Sequence, residues 1–147
     1  MRVVLDTAIL VRANAKATGP ARRLFLEVQS GRVRLVMSHF LLEEVRRFLG
    51  YPRIQAIYRL TDIEIREYVD TLATIADVVL QMEGPAVVVR DPDDNPIIYT
   101  AIAGGADVVC TADRHFYDPS VVSFCARYGI RLMTDVDLLR LLLQSDD

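Results

Sequence analysis

Carboxylates crowd into one short segment of the sequence, where Asp91, Asp93 and Asp94 fall within four residues. A carboxylate before a helix commonly caps its first turn, but Asn95 can supply that cap here, with Pro96 as the first helical residue. Three carboxylates are more than capping requires, and their mutual repulsion calls for a cation. Hard divalent ions such as Mg²⁺ and Mn²⁺ prefer oxygen ligands, so the segment predicts a metal site built on carboxylates.

Further acids occupy positions where α/β folds place ligands. Asp6 follows the first β-branched run, and Asp113 lies just past another. Ligands gather outside the carboxyl ends of parallel strands, so both positions predict site residues. Glu43 and Glu44 are neighbours on a predicted helix, where adjacent side chains diverge by about 100°. The apolar stripe of that helix favours Glu44 as the inward acid, whereas Glu43 fits an exposed face paired with the arginines that follow.

Softer metal ligands are few in this sequence. His39 and His115 are the only histidines, which is too few for a histidine-rich zinc or iron site. His39 stands beside a predicted helix cap and His115 in a predicted loop after Asp113, so we interpret both as bystanders. Cys110 and Cys125 lack the CxxC spacing of a zinc site, and the pattern favours two buried, inert thiols.

The elements that must position these residues follow from short β-branched runs alternating with longer amphipathic ones. Ser38 and Thr134 mark two helix starts, and Glu64 three residues after Thr61 forms a capping box at a third. Strands separated by helices imply βαβ units, and therefore a parallel sheet with helices on both faces. The predicted strands are residues 2–5, 33–37, 78–80, 107–110 and 130–133.

Length and composition fit one folded domain. A chain of 147 residues that is 52% hydrophobic can bury a sizeable core and is not a disordered segment. We see no linker, repeat or low-complexity segment, so residues 1–147 are predicted to be a single domain. No run approaches the ~20 apolar residues that span a bilayer. The first ten residues fit a buried strand better than a signal peptide, and we expect a cytoplasmic protein with no membrane partner.

Charge is distributed unevenly along the chain, although the net charge is only −3. Residues 12–59 hold ten basic and three acidic side chains, whereas the chain from residue 60 onward holds six basic and sixteen acidic ones. Sixteen of the seventeen basic residues are Arg, whose planar guanidinium suits phosphate. The asymmetry predicts a basic surface beside an acidic site, and genome composition or thermal adaptation is the alternative explanation of the arginine content.

Four motifs follow one another along nearly the whole chain. They are Val-Val-Leu-Asp-Thr at residues 3–7, Ser-x-x-Leu-Leu-Glu-Glu-Val at 38–45, Asp-Pro-Asp-Asp-Asn at 91–95, and Ala-Gly-Gly-Ala-Asp-Val-Val-Cys-Thr-Ala-Asp-Arg at 103–114. In these motifs, their order and their spacing, the chain resembles a PIN domain. More narrowly, it resembles the VapC-like toxins of prokaryotic toxin–antitoxin pairs. Each motif alone is weak, but the four together are specific.

The resemblance implies a three-layer α/β/α sandwich with a central, mainly parallel sheet, and Mg²⁺- or Mn²⁺-dependent endoribonuclease activity. It also implies a cognate antitoxin protein as partner. Carried over residue by residue, the resemblance implies four catalytic acids: Asp6, Glu44, Asp94 and Asp113. The implied metal ligands are Asp6, Asp94 and Asp113, with Asp91 as the competitor of Asp94. The implied supporting residues are Thr7, Thr111 and Asn95.

Within the ribonuclease activity that the resemblance implies, the residues also bear on the form of the substrate and on assembly. Single-stranded RNA is favoured because its backbone can bend into a cleft. The basic first half predicts phosphate contacts that make binding sensitive to salt. Apolar helix faces and the leucines of residues 138–143 suggest a homodimer or higher oligomer, or an antitoxin-binding groove, although core packing explains much of both. The predicted RNA-binding residues are Arg12, Lys16, Arg46 and Arg47.

Ala8 leaves an alternative open. Family members usually read Asp-Thr-Asn or Asp-Thr-Ser after the first strand, whereas Ala8 follows Thr7 here and removes a probable hydrogen bond to the site. A catalytically weak or inactive PIN-like module that binds RNA or a partner is therefore the alternative to the enzyme. Four retained acids favour the enzyme, because unpaired buried carboxylates are costly in an inert fold.

Other classes of protein fit the sequence less well. A receiver-type phosphoacceptor needs a lysine near its acid pocket, but Lys16 is the only lysine and is misplaced. A dehalogenase-like phosphatase needs a second Asp two residues after the first, where Ala8 stands. A dinucleotide or P-loop site needs a glycine-rich loop that the sequence lacks.

Overall fold

Five short parallel strands form one sheet, with the first strand of the chain at its centre. This computed structural model describes residues 1–80, 83–84, 87 and 92–144. The strands are β1 (Arg2–Leu5), β2 (Arg34–Ser38), β3 (Asp77–Val79), β4 (Val108–Cys110) and β5 (Arg131–Met133). The helices are α1 (Thr7–Arg12), α2 (Pro20–Gln29), α3 (His39–Leu49), α4 (Pro52–Tyr58), α5 (Asp62–Ile75), α6 (Asn95–Ala103), α7 (Pro119–Ala126) and α8 (Asp135–Gln144), with 3₁₀ helices at Pro92–Asp94 and Arg114–Tyr117.

The centre of the sheet is buried on both faces, which accounts for its apolar sequence. In β1, Val3, Val4 and Leu5 are each at most 1% exposed. β1 pairs in parallel with β4, so that Val3 lies beside Val108 and Leu5 beside Cys110. Strands covered by helices on both faces read as continuous runs of large apolar residues, as these do.

Helices cover both faces because the chain crosses the sheet in two directions, in the strand order β3-β2-β1-β4-β5. Right-handed connections place the helices before β3 on one face and α6 and α7 on the other. α8 packs on α2. The predicted three-layer α/β/α sandwich is confirmed, and the sheet is wholly parallel in its described strands. In the part of the chain that the structure describes, no helix is long and apolar enough to cross a membrane.

Side-chain caps begin three of the helices where the sequence predicts them. Ser38 Oγ accepts a hydrogen bond from the backbone N–H of Leu41 at 3.4 Å at the start of α3. Thr61 and Glu64 form the complete capping box of α5. Thr134 Oγ1 accepts from Asp137 at 3.2 Å before α8. These caps satisfy N–H groups that have no partner inside the helix, and they fix where each helix begins.

The α1 helix was not predicted, because its six residues leave too little sequence to show a period. It begins directly after β1, where the carboxylate of Asp6 caps it by accepting from the backbone N–H of Ile9 at 2.9 Å. Ile9, Leu10 and Val11 are all buried. Such a run resembles a continuation of the strand in sequence, so only the Asp before it signals a helix start.

A charged cluster holds the strands together at the end of the sheet opposite their carboxyl ends. The carboxylate of Asp77 accepts hydrogen bonds from Arg2, at 2.7 Å, and from Arg34. These two guanidinium groups lower the pKa of Asp77 to about 2. Arg2 also donates to the carbonyl of Gly104 at 2.8 Å. Gly104 must lack a side chain, because a Cβ there would lie 2.3 Å from Val36 Cγ1.

The two cysteines are free thiols in the interior, as predicted. Cys110 and Cys125 are both 0% exposed, and neither forms a disulfide. Burial raises the pKa of Cys110 far above its ordinary value and that of Cys125 to about 11. Both thiols are therefore protonated and unreactive at neutral pH.

Candidate active site

Asp6 is a buried carboxylate at the carboxyl end of the central strand, with only 6% of the residue exposed. Besides capping α1, it forms a side-chain hydrogen bond with Thr111. Burial raises the pKa of Asp6, and the negative charge of Asp113 adds to the rise, whereas the hydrogen bonds and the charge of Arg12 oppose it. A carboxylate that is ionised in these surroundings gains from a nearby cation.

The α3 helix turns its two adjacent glutamates in different directions, as the apolar stripe predicts. Glu43 is exposed and forms an ion pair with Arg46 at 2.7 Å. Glu44 is half-buried, and its Oε1 accepts a hydrogen bond from Thr7 Oγ1 at 2.8 Å. Thr7 itself is only 4% exposed. The first residue of α1 therefore fixes the position of the carboxylate on α3.

Thr111 links the loop after β4 to the first acid. Its hydroxyl accepts from the backbone N–H of Asp113 at 3.0 Å and also bonds to Asp6. Its carbonyl accepts from Tyr117 Oη at 2.7 Å. Burial raises the pKa of Tyr117 to about 12, so the phenol remains protonated and keeps donating at neutral pH. These bonds hold the Asp113 loop against the end of β1.

Asp94 closes the site from the start of α6, at the end of the 3₁₀ helix Pro92–Asp94. Asp94, not Asn95, occupies the cap position of α6, and no side chain caps that helix. The expectation that Asn95 caps it is therefore wrong. Asn95 Oδ1 instead accepts from the backbone N–H of Val87 at 2.9 Å, which ties a residue eight positions earlier in the chain to the helix start. Asp91 lies outside the described residues, so its competition with Asp94 stays a prediction.

One cleft of about 510 Å³ brings together the four acids that the sequence singles out. Asp6 follows β1, Glu44 lies on α3, Asp94 precedes α6 and Asp113 follows β4, so each comes from a different element. Thr7 and Ala8 also line this cleft. Ala8 is exposed there, at the position where relatives carry a polar side chain.

The charge of the cleft fits a divalent cation. Four carboxylates line it, and Arg47 is the single basic residue among the described lining residues. Ligand atoms of Asp94, Asp113 and His115 lie within 4.8 Å of one another. Mg²⁺ and Mn²⁺ take carboxylate oxygens together with water. The donor set therefore fits either ion.

Of the four residues predicted to bind RNA, only Arg47 lines the cleft. Its guanidinium also lies over the ring of Phe48, 5.4 Å from the ring centre. The other three each pair with a carboxylate of the protein, in the pairs Arg12–Asp135 at 3.3 Å, Lys16–Glu64 at 3.2 Å and Arg46–Glu43 at 2.7 Å. The partner of Arg12, Asp135, is buried, whereas the pairs of Lys16 and Arg46 are more exposed and therefore weak. The RNA-binding prediction stays a prediction.

Two residues near the site were missed at the sequence level. His115 was interpreted as a bystander, yet its imidazole lies beside Asp94 and Asp113. Tyr117 was not singled out, although it holds Thr111. The available signal was the Asp-x-His spacing from residue 113 to 115, but a loop of unknown conformation does not reveal which side chains turn back toward the acid.

Comparison with known proteins gives a family and a structural relative. Residues 2–115 match the family described as PIN domain. A search of curated proteins finds no match. The structure is similar to a chain in the crystal structure of VapBC2 from Rickettsia felis bound to a DNA fragment from their promoter. That similarity has a TM-score of 0.56 at 15% identity and covers 91% of this chain and 98% of the other.

Proposed function

This chain belongs to the PIN domain family, and from that premise we propose that it is a metal-dependent endoribonuclease acting as the toxin of a toxin–antitoxin pair. The family resemblance predicted from the four motifs is confirmed by the match over residues 2–115. PIN domains are generally nucleases, and the acidic cleft supports hydrolysis of a phosphodiester bond. RNA as the substrate and Mg²⁺ or Mn²⁺ as the cofactor belong to the proposal.

The observation that carries the proposal is the meeting of Asp6, Glu44, Asp94 and Asp113 in one cleft. Capping or surface solvation does not require acids from four separate elements to converge. Asp6, Asp94 and Asp113 would hold the metal. A bound divalent ion supplies Lewis acidity, which acidifies water and stabilises the leaving oxygen in an in-line displacement.

Glu44 is the acid best placed to handle the proton of the attacking water. Its Oε1 is occupied by the hydroxyl of Thr7 at 2.8 Å, which fixes the carboxylate and leaves Oε2 to accept that proton. A positioned general base of this kind contributes about 100-fold or more to a rate. The products expected from this class of reaction are 5′-phosphate and 3′-hydroxyl ends.

Single-stranded RNA suits the lining of the cleft. Phe40 and Phe48 line it beside Arg47, and 38% of Phe40 is exposed. Aromatic rings stack on unpaired bases, and an arginine can hold the phosphate between them. A duplex offers neither exposed base faces nor a backbone that bends into a narrow cleft.

An apolar cavity next to the cleft supports the proposal of an antitoxin partner. Phe48 and Ala8 line both cavities, and the apolar cavity of about 310 Å³ extends along α4 past Tyr51 and Ile57. Tyr51 is 46% exposed and Ile57 is 61% exposed. Exposed apolar residues that adjoin an active site are typical of a surface that a partner protein covers.

A homodimer or higher oligomer remains a prediction. The leucines of α8 suggested one, but Leu138 and Leu142 are buried in the core and Leu139 and Leu141 pack against it. Leu143, at 43% exposure, is the α8 leucine left at the surface. Core packing therefore explains most of this pattern.

A second candidate function is favoured by Ala8. It lines the cleft with a methyl group, so it offers no hydrogen bond to a metal-bound water. A PIN-like module that binds RNA or a partner with weak or no cleavage is the function that this observation favours. The two candidates differ in whether RNA is cleaved, so a cleavage assay separates them.

The test is cleavage of labelled single-stranded RNA with Mn²⁺, with Mg²⁺ and with EDTA. We expect the wild type to cut with metal, EDTA to stop it, and Asp6→Asn to be inactive. Glu44→Gln should lose about 100-fold or more, whereas its neighbour Glu43→Gln, an exposed acid on the same helix, should match the wild type. Folded wild type that binds RNA but never cuts would favour the binding module. Equal cleavage by the wild type and Asp6→Asn would indicate a contaminating nuclease and contradict the assignment of the activity to this cleft.

A further inference from the structure

The imidazole of His115 lies at the edge of the acidic cleft, beside two of its carboxylates. We propose that His115 is a ligand of the metal, together with Asp94 and Asp113, and that this nitrogen donor makes the site prefer Mn²⁺ over Mg²⁺. The inference rests on the proposed function, because it concerns the same metal site. It departs from the all-oxygen donor set that the sequence predicts.

The distances support a shared ion. One ligand atom from each of Asp94, Asp113 and His115 lies within 4.8 Å of the others. Two ligands on opposite sides of an ion, each at about 2.1 Å, are separated by about 4.2 Å. The observed separations of up to 4.8 Å are therefore close to those that ligands of one ion require.

The turn that carries His115 is firmly held, which fixes the backbone from which the imidazole projects. Asp113 Oδ1 accepts from the backbone N–H of His115 at 2.9 Å, which starts the 3₁₀ helix Arg114–Tyr117. Phe116 anchors the turn in the core at 1% exposure. Tyr117 closes it by donating to the carbonyl of Thr111 at 2.7 Å.

An ion pair with Asp113 does not account for the position of the imidazole. His115 Nδ1 lies 3.7 Å from Asp113 Oδ1, which is longer than a hydrogen bond of 2.7–3.2 Å. Within the described part of the chain, this buried nitrogen has no hydrogen-bond partner. A buried polar atom left in this way destabilises the folded protein. A metal ion in the cluster would satisfy it.

The preference for Mn²⁺ follows from the nitrogen. Mg²⁺ takes oxygen ligands in near-ideal octahedral geometry and gives up its water reluctantly. Divalent transition ions accept imidazole as a ligand, and Mn²⁺ is the first member of the series along which their affinity for nitrogen ligands increases. A site with carboxylates alone would discriminate between the two ions less strongly.

The test is pulsed electron paramagnetic resonance of the protein loaded with Mn²⁺, after labelling of its histidines with ¹⁵N. His39 is exposed on α3 and is the only other histidine, so it provides a matched control. We expect a ¹⁵N coupling to Mn²⁺ in the wild type and in His39→Ala, and its loss in His115→Ala. The wild-type spectrum alone tests the inference if a variant fails to fold.

Calorimetric titration with Mn²⁺ and with Mg²⁺ gives a second readout that needs no catalysis. His115→Ala should weaken Mn²⁺ binding by about tenfold or more and Mg²⁺ binding by much less. Mn²⁺ that binds without a histidine coupling in the wild type would overturn the inference and leave a carboxylate-bound nuclease intact. No binding of either ion would overturn both the inference and the metal-dependent function.

Discussion

Replacing Asp6 with Asn should stabilise the metal-free protein while removing its response to metal. At pH 7 the wild type holds an ionised carboxylate where burial raises the pKa of Asp6. Each unit of such a rise costs about 1.4 kcal/mol of folding free energy once the group is ionised. Asn carries no charge and avoids that cost, so the two proteins should differ in the absence of metal.

The magnitude follows from the hydrogen bonds of Asp6. Asn Oδ1 can still accept from the backbone N–H of Ile9, now 2.9 Å from the carboxylate, so the cap of α1, which is worth about 1 kcal/mol, is kept. The variant loses the attraction of Arg12 for the charge and must reorient the hydroxyl of Thr111. We expect a net gain in stability at pH 7, and each 1 kcal/mol of it corresponds to about 3 °C in Tm for a chain of this length.

The pH dependence has a definite sign. Between the ordinary value of the carboxyl, 3.8, and its raised folded value, the folded state of the wild type binds more protons than the unfolded state. Stability of the wild type therefore falls as pH rises through this window and remains reduced above it. The advantage of Asp6→Asn should accordingly shrink on acidification toward pH 4.

Thermal unfolding in EDTA and in Mn²⁺ measures both effects. Mn²⁺ at 100 times its Kd should stabilise the wild type by about 2.7 kcal/mol and the variant by much less, so the order of stabilities reverses. Asp137→Asn, which alters an exposed acid, should change neither result. A variant that is less stable than the wild type in EDTA would refute the argument from burial, and equal stabilisation by Mn²⁺ would exclude Asp6 as a ligand.

Hydrogen bonding, ion pairing and burial elsewhere in the molecule give three further tests. Thr7→Val should lower RNA cleavage about tenfold, because it removes the hydroxyl that holds Glu44 at a cost of about 1.4 kcal/mol, whereas Thr7→Ser should not. Two arginines lower the pKa of Asp77 to about 2. The stabilising effect of its charge, present above pH 4, should therefore be lost as pH falls to about 2. Urea titrations should show that the free energy of unfolding of Asp77→Asn depends less on pH than that of the wild type. Cys110 and Cys125 are buried and should react with a thiol reagent only after unfolding; rapid reaction of the native protein would contradict their burial.

The sheet and most helix starts could be predicted because their causes are local. The β-branched runs of the central strands are buried on both faces, and Thr61 with Glu64 forms the capping box that its spacing predicts. The apolar stripe of α3 likewise predicted that Glu44 turns inward while Glu43 remains exposed. In each case, neighbours within one or two turns of the chain decide the outcome.

What the sequence could not predict depends on contacts between distant residues. Asn95 is a good capping residue locally, but the backbone of Val87 takes its side-chain oxygen instead. His115 comes close to Asp94 only because the start of α6 and the loop after β4 lie at the same edge of the sheet. The partners of Arg12 and Lys16 lie far away along the chain, at Asp135 and Glu64. Such pairings have no periodic signature.

The central place of β1 in the sheet has a consequence for when the protein becomes active. β1 is synthesised before the other four described strands, and its acid, Asp6, meets Thr111 and Asp113 only after more than 100 further residues have been made. A nascent chain that ends at β3 holds Asp6 and Glu44 but neither Asp94 nor Asp113, and the long-range pairing of β1 with β4 is slow to form. Under the proposed function, a nuclease built in this way cannot cleave RNA until Asp94 and Asp113 have both been made and the sheet has closed.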